Sequence, residues 1–405
     1  MRRARRGMTL MELVIALTVL ALVATMGGAA FATLIDRQAT IRTASAARGN
    51  ESRADGRFPA RHCRPRGRGQ GDQGRAQVAQ QGHQVVGVTM RLWGGESDTG
   101  CCSVSDVDDA RRVAQQVGID HLVFNFSDDF NDRVVAPYVD AHVHGTTPNP
   151  CIECNRHLKF DRLIRRGREL GFDAVATGHH ARIVSHDGVR RVARGADEAK
   201  DQSYVVHMLP QRELARTLFP IGHLTKADVR QRATALGLRT AAKPDSQDVC
   251  FITHTGGRTA FLGSRIPFRR ATVVDATDGA VLGETDALEM VTLGQRRGVG
   301  LPGGGPKRYV VDIDHATATV KVGDESMLDV ATTVVHSMVW SHVPVEGEVL
   351  VQCSAHGEAR AATARLRRDT VEVKWATPQR RVAPGQSVVL YDPTNTYVLG
   401  GGIAG

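Results

Sequence analysis

Cys151, Cys154 and Cys250 stand in surroundings better suited to chemistry than to packing. The chain holds seven cysteines: Cys63, Cys101, Cys102, Cys151, Cys154, Cys250 and Cys353. An odd count with irregular spacing in a large chain argues against a secreted disulfide framework. Reduced thiols that react or bind metal fit better. Cys151-Ile152-Glu153-Cys154 suits a redox pair or half a zinc site. Cys101 and Cys102 would have to complete the zinc site, and adjacent cysteines rarely ligate one tetrahedral ion. With Cys250 the pair would instead offer three thiolates to an iron–sulfur cluster. Cys353 sits in an alternating apolar stretch and reads as a small buried hydrophobe. Gly178-His179-His180 follows the apolar run Ala174–Thr177, and Gly178 would let backbone approach a ligand. Arg156, Lys159, Arg162, Arg165, Arg166 and Arg168 form a basic run suited to phosphate contact or to a solvated face.

These residues need a frame. Val85–Met90 reads as a short buried strand and Val107–Val117 as a helix with Ala110, Val113, Ala114 and Val117 on one face. His121–Phe126 reads as a strand, Phe160–Leu170 as a helix, Ala174–Thr177 as a strand and Lys226–Leu236 as a helix. Alternating strands and helices predict an α/β, doubly wound parallel sheet. Ligands bind such sheets at the carboxyl ends of the strands, where Met90 and Gly178 fall. From about Arg269 the pattern changes to short strands: Ala271–Asp275, Tyr309–Ile313, Ala318–Val322, Val349–Cys353, Thr370–Trp375 and Ser387–Tyr391. This predicts a β-barrel-like domain.

The formal charge of +9 lies entirely in the first 85 residues, which hold 14 basic and 5 acidic residues. The rest holds 38 of each. Net charge therefore gives the body no nucleic-acid signal, although local patches remain open. The first segment begins with Arg2, Arg3, Arg5 and Arg6, then Gly7 and Glu12, then an uncharged run from Leu13 to Ile35. That run is long enough to cross a bilayer as a helix. It resembles a type IV prepilin leader, cut after Gly7; the other reading is a generic signal anchor. Residues 49–76 are rich in Arg, Gly and Gln and read as a disordered linker.

Four strings carry a further resemblance. They are Thr147-Pro148-Asn149-Pro150-Cys151-Ile152-Glu153-Cys154-Asn155, Ala176-Thr177-Gly178-His179-His180, Lys200-Asp201-Gln202-Ser203-Tyr204 and Lys243-Pro244-Asp245-Ser246-Gln247-Asp248-Val249-Cys250-Phe251-Ile252. In this order, before a β-rich tail, they resemble the tRNA-specific 2-thiouridylase family from Val85 to Gly405. The resemblance implies a PP-loop sheet of the adenine-nucleotide hydrolase type over 82–215. A small central domain over 216–268 and a tRNA-binding β domain over 269–405 would follow. It implies sulfur transfer to the wobble uridine of tRNA in the cytoplasm, with ATP, Mg²⁺ and a persulfide-carrying donor protein. Cys154 would be the nucleophile and Cys250 the persulfide carrier, forming a redox disulfide. Met90 and Gly178 would meet ATP. Asn149, Pro150 and Cys151 would shape the uridine pocket. His179, Lys200, Asp201, Gln202 and Gln386 would touch tRNA.

The family pattern resumes abruptly at Gly82-His83-Gln84-Val85-Val86-Gly87-Val88. The Ser-Gly-Gly-x-Asp-Ser-Ser loop that should precede it, and would cradle ATP phosphates, does not occur; Arg61–Gly74 stands in its place. The sheet is therefore expected to lack its first strand. Residues 1–50 read as a pilin-like leader and 51–81 as a linker or out-of-frame stretch. A second departure is Ser354-Ala355, where the family often has Arg-Tyr. Two other functions stay open: a pilin-like subunit anchored in the inner membrane through residues 13–35, and an inactive chimera.

Overall fold

The computed structural model describes residues 30–36, 84–93, 104–242, 249–252, 256–302 and 305–405. Three units follow one another: an α/β sheet, a small central β sheet and a closed β-barrel, which is the expected fold class although the central sheet lies within 269–405 rather than 216–268. The first is a sheet of five strands: β1 (Ala30–Asp36), β2 (Gln84–Arg91), β3 (Asp120–Asn125), β4 (Ala174–Thr177) and, after the hairpin β5 (Ala181–His186) and β6 (Val189–Arg194), β7 (Thr217–Leu218). The sheet order is β3-β2-β1-β4-β7. β2 and β3 are parallel, and so are β4 and β7.

β1 is the exception. It lies between β2 and β4 and is antiparallel to both, with Ala30 opposite Met90, Asp36 opposite Gln84 and Ala32 opposite Thr177. The sheet thus has no parallel first strand, and a reversed one fills its place. The reversal satisfies the backbone groups of β2 and β4 that an empty slot would expose. It also sends the chain out of β1 at Asp36, beside the amino ends of β2 and β4. Ala30, where the described part of β1 begins, lies beside Met90 at the carboxyl edge, where ligands bind. The expected membrane run is corrected in part. Residues 30–35 form strand rather than helix, and 13–29 lie outside the described residues. Among the described residues no helix is long and apolar enough to cross a membrane.

The region read as one β domain holds two units. β8 (Ala271–Asp275), β9 (Val281–Thr285), β10 (Tyr309–Asp314) and β11 (Thr319–Gly323) make a small sheet ordered β10-β11-β8-β9. β12 (Asp329–Trp340), β13 (Gly347–Gln352), β14 (Arg360–Arg367), β15 (Thr370–Arg380), β16 (Ser387–Tyr391) and β17 (Val398–Ala404) close a six-stranded barrel. Closure leaves the barrel without an exposed edge.

The units are packed together. Val389, Tyr391 and Val398 of the barrel share one apolar cluster with Met90, Cys154, Phe160 and Tyr204 of the α/β unit. Gln211 Nε2 donates to the Ser341 carbonyl at 2.6 Å and Arg191 Nη1 to Ser341 Oγ at 2.7 Å. Tyr204 donates its hydroxyl to the Ser387 carbonyl at 2.9 Å, which lets a phenol be buried at low cost. β17 reads Val-Leu-Gly-Gly-Gly-Ile-Ala, and its glycines serve close approach: a Cβ on Gly401 would lie 2.4 Å from the His207 ring.

Candidate active site

The cysteine pair rides on an unbroken helical run: Pro150–Cys154, a π segment Asn155–Arg162, then Leu163–Glu169. Asn149 caps the start, its Oδ1 accepting the Cys151 N–H at 3.0 Å, and Pro150 occupies the first turn. The cap and Pro150 set where the run begins, so Cys151 falls in its first turn. Helices carry π segments mostly where function has shifted a side chain. Here the segment begins one residue after Cys154. Asn155 Nδ2 donates to the Val205 carbonyl at 2.8 Å and anchors that turn.

Cys154 is buried in the main apolar cluster, and Cys250 packs against the same cluster. Cys250 is held by its neighbour. Phe251 is 4 % exposed and meets Phe261 at 5.0 Å, Phe130 and Tyr138 at 5.6 Å, and Trp93 at 6.2 Å between ring centroids. This aromatic knot fixes Val249–Ile252 against the α/β unit. The described cysteines are thiols rather than disulfides. Burial pushes the Cys151 thiol up to about 11; the nearby Cys250 adds to this and Lys159 opposes it. Cys151 also presents exposed surface. Water on that side trims the effect, but the direction holds, and Cys151 is a protonated thiol at neutral pH. Its coupling to Cys250 places these two sulfurs in one neighbourhood. Burial likewise pushes Cys353 up to about 12, in keeping with a packed hydrophobe.

Gln386, half-buried, reaches the loop that precedes the cysteine helix. Its Nε2 donates to the Thr147 carbonyl and, at 3.4 Å, faces Thr147 Oγ1. The Thr147 N–H donates to the Pro384 carbonyl at 3.0 Å. Gly385 has φ +90°, and a Cβ there would sit 3.0 Å from the Thr147 nitrogen. Pro384-Gly385-Gln386 therefore clamps the loop that leads into Asn149 and Cys151.

The nucleotide-side residues are more deeply placed than expected. Met90 is 0 % exposed inside the cluster, so its side chain packs the core. Gly178 is buried at the carboxyl end of β4. His179 is buried between Phe160, at 5.5 Å, and Phe219, at 5.6 Å, with Nδ1 hydrogen-bonded to Thr177 Oγ1 at 2.8 Å. Burial, with the Lys159 and His180 charges adding, holds its imidazole well below the usual range. A neutral His179 braces the turn. Asp201 accepts from Gly195 N at 2.7 Å, Ser203 Oγ at 2.6 Å and Arg194 Nη1 at 2.8 Å. Gln202 Oε1 accepts the His180 N–H, and the Gln202 N–H donates to the His180 carbonyl, both at 2.9 Å. Asp201 and Gln202 thus hold the turn from behind, and Lys200, Asp201 and Gln202 are all half-buried.

The basic run is largely neutralised. Arg156 pairs with Glu153 at 3.8 Å, Arg162 with Asp129 at 2.9 Å, Arg165 with Asp161 at 2.8 Å and Arg166 with Glu169 at 2.8 Å. Most of its charge is answered within the protein, which favours the solvated-face reading. Among the described residues no group of three His, Cys, Asp or Glu side chains is placed to hold a metal ion. Cys151, Cys154 and Cys250 accordingly do not form the three-thiolate set of an iron–sulfur cluster. Residues 243–248 of the Cys250 string, with Cys63, Cys101 and Cys102, lie outside the described residues. Sequence reasoning passed over Arg194 and the aromatic knot. Phe251 beside Cys250 was the only available signal for the knot.

Comparison with known proteins follows this architecture. The tRNA methyl transferase HUP domain model matches residues 74–254. The tRNA methyl transferase PRC-barrel domain matches 259–324, and the aminomethyltransferase beta-barrel domain matches 331–404. The prokaryotic N-terminal methylation motif matches residues 2–28. The tRNA-specific 2-thiouridylase MnmA of Mycolicibacterium gilvum is 46 % identical over 337 residues, covering 80 % of this chain and 93 % of that protein. Its namesake in Mycolicibacterium vanbaalenii is 45 % identical over 340 residues, with the same coverage. The one in Mycobacterium tuberculosis is 44 % identical over 338 residues, 80 % of this chain and 90 % of its own.

Proposed function

Since this chain belongs to the tRNA-specific 2-thiouridylase family, we propose that it handles the sulfur of tRNA uridine 2-thiolation, with Cys250 as persulfide carrier and Cys154 as attacking thiolate. The observation that carries this reading is the apolar cluster that buries Cys154 and anchors Cys250 through Phe251. A persulfide is shielded from stray thiols in such surroundings, and two thiols distant in sequence can exchange there.

The electron balance is direct. A donor protein's persulfide passes its outer sulfur to the Cys250 thiol, leaving the donor as a thiol. The Cys154 thiolate attacks the Cys250 sulfur, the sulfur–sulfur bond of the persulfide breaks, and a Cys154–Cys250 disulfide forms. The outer sulfur leaves with the electron pair as the nucleophile for uridine C2. Two cysteine thiols are thereby oxidised and the outer sulfur reduced, so an external dithiol must reset the pair. Cys151, held as a thiol beside Cys250, keeps a proton near the persulfide without competing as a thiolate.

ATP, the family's activator of the uridine oxygen, fits this sheet only on one side. Gly178 stands at the carboxyl end of β4, but the Ser-Gly-Gly-x-Asp-Ser-Ser string that would cradle the phosphates does not occur in the chain. Donors aimed at a departing phosphate commonly supply a large part of catalysis. No ATP step is therefore assigned to this chain's residues, and Mg²⁺ would accompany ATP. tRNA would approach over Lys200 and the barrel, in a cytoplasmic body. A second reading, a membrane-facing leader ahead of that body, is favoured by the N-terminal methylation motif over residues 2–28.

The test uses the full chain with a persulfidated donor protein and tRNA. The expected result is sulfur on the Cys250 peptide by mass spectrometry, absent in Cys250→Ser and trapped there in Cys154→Ser. Sulfur uptake that survives Cys250→Ser would sink the assignment. Thiouridine formed with ATP would show that the phosphates are held by residues other than a β1 loop.

A further inference from the structure

Arg194, on β6, joins the barrel to the turn at Gly178–His180 through every face of its guanidinium. Nη1 donates to Asp201 Oδ2 at 2.8 Å and to Gln352 Oε1 at 2.7 Å. Nε and Nη2 both donate to Asn395 Oδ1, at 3.1 and 2.7 Å. The guanidinium carbon lies 3.6 Å from the centroid of the Tyr391 ring. Gln352, Tyr391 and Asn395 all belong to the barrel, whereas Asp201 belongs to the α/β unit. The side chain is only 15 % exposed and that of Asp201 8 %, so water competes weakly for these bonds. The backbone is tied as well, the Arg194 N–H donating to the Thr396 carbonyl at 2.9 Å.

The chain of contacts continues beyond Asp201. Its other oxygen accepts the N–H groups of Gly195 and Ser203, at 2.7 and 3.2 Å. The intervening Gln202 grips both backbone groups of His180, and His180 follows Gly178-His179 at the end of β4. From these contacts we infer that Arg194 is a positioning residue: it transmits the placement of the barrel to the turn at the carboxyl end of β4. The inference rests on the thiolation reading only for the purpose of that turn; the mechanical link stands on the contacts themselves. Arginine suits this role because its planar fork makes several directed bonds while its face stacks on Tyr391. Lysine keeps the charge and loses the fork and the stacking.

The experiment is amide hydrogen exchange on the full chain without tRNA. It compares wild type with Arg194→Lys, Gln352→Ala and the double variant. Exchange at residues 178–181 and 201–205 is expected to speed up roughly tenfold in Arg194→Lys, with thermal unfolding still cooperative. Gln352→Ala, which touches Arg194 but not the turn, is expected to speed it several-fold. The double variant should add nothing to Arg194→Lys. Unchanged exchange at 178–181 in the folded Arg194→Lys protein would overturn the link, and so would additive effects of the two substitutions. If no form accepts sulfur, the thiolation reading fails while this measurement still decides the link.

Discussion

The two sides of the site are built to different degrees. Around the cysteines the described elements are held firmly. Asn149 caps the cysteine helix, Gln386 and Pro384 hold its incoming loop, and Phe251 anchors Cys250 in an aromatic knot. On the nucleotide side, β4 ends correctly at Gly178 and is braced by His179, Asp201 and Gln202, but the neighbouring strand is reversed. The packing around Cys154 and Cys250 draws on residues from Val88 to Val398. The nucleotide half would be built around the slot between β2 and β4, where β1 runs antiparallel to both neighbours.

Perturbing each side in turn sharpens this contrast. The largest effect should come from Phe251→Ala, which empties the centre of the aromatic knot; a loss of about 3–5 kcal/mol is expected. Denaturant unfolding measures it. Faster alkylation of Cys250 in the folded protein should accompany it, and an unchanged alkylation rate would break the link between the knot and the thiol. Next is Leu34→Pro in β1, which faces Val86 on one neighbour and Val175 on the other. Proline there removes a ladder bond and should cost about 3 kcal/mol. Sulfur uptake by Cys250 in the surviving folded fraction should be unchanged, since the sulfur side owes nothing to β1. Loss of uptake would contradict the separation of the two sides.

A pH series comes third. Burial holds His207 down to about 4, opposed by its hydrogen bond to the Tyr204 carbonyl. Between pH 6.5 and 4 the unfolded chain therefore binds a proton that the folded chain refuses. Stability should fall as pH drops through that window, by about 1.4 kcal/mol per pH unit from this residue, and be insensitive to it above pH 6.5. Denaturant midpoints across the range should show the slope, and His207→Gln should flatten it. The smallest effect is Gln386→Ala, about 1 kcal/mol for a lost hydrogen bond. Its signature is faster amide exchange at 147–151 but not at 178–181. Equal acceleration at both would merge the two clamps into one.

Much of the frame was legible in the chain. The strands β4, β8 and β16 fall where the sequence predicts them: β4 and β16 are buried on both faces and mainly apolar, and β8 alternates between buried and half-buried positions. The helix at Lys226–Ala235 begins at Thr225, whose side chain and Asp228 form a capping box visible in sequence. Other elements left no such trace. β17 carries three consecutive glycines, poor strand formers that are required because His207 and Trp340 press against that wall. The hairpin β5–β6 is rich in arginine, and its half-buried faces are set by Ser341, Tyr391 and Asn395, more than a hundred residues away.

The roles of single residues divide the same way. The order of the cysteine strings and the missing glycine-rich loop are properties of the sequence alone, since each is a matter of which residue follows which. Met90, His179, Asp201, Gln202 and Gln386 are expected at ligand surfaces, and the fold adds packing and hydrogen bonds to them that the sequence does not show. That outcome depends on which distant groups each polar atom meets once water is excluded. The direction of β1 is likewise decided only in three dimensions. It is set by backbone pairing with β2 and β4, strands that lie about fifty and a hundred and forty residues further along the chain.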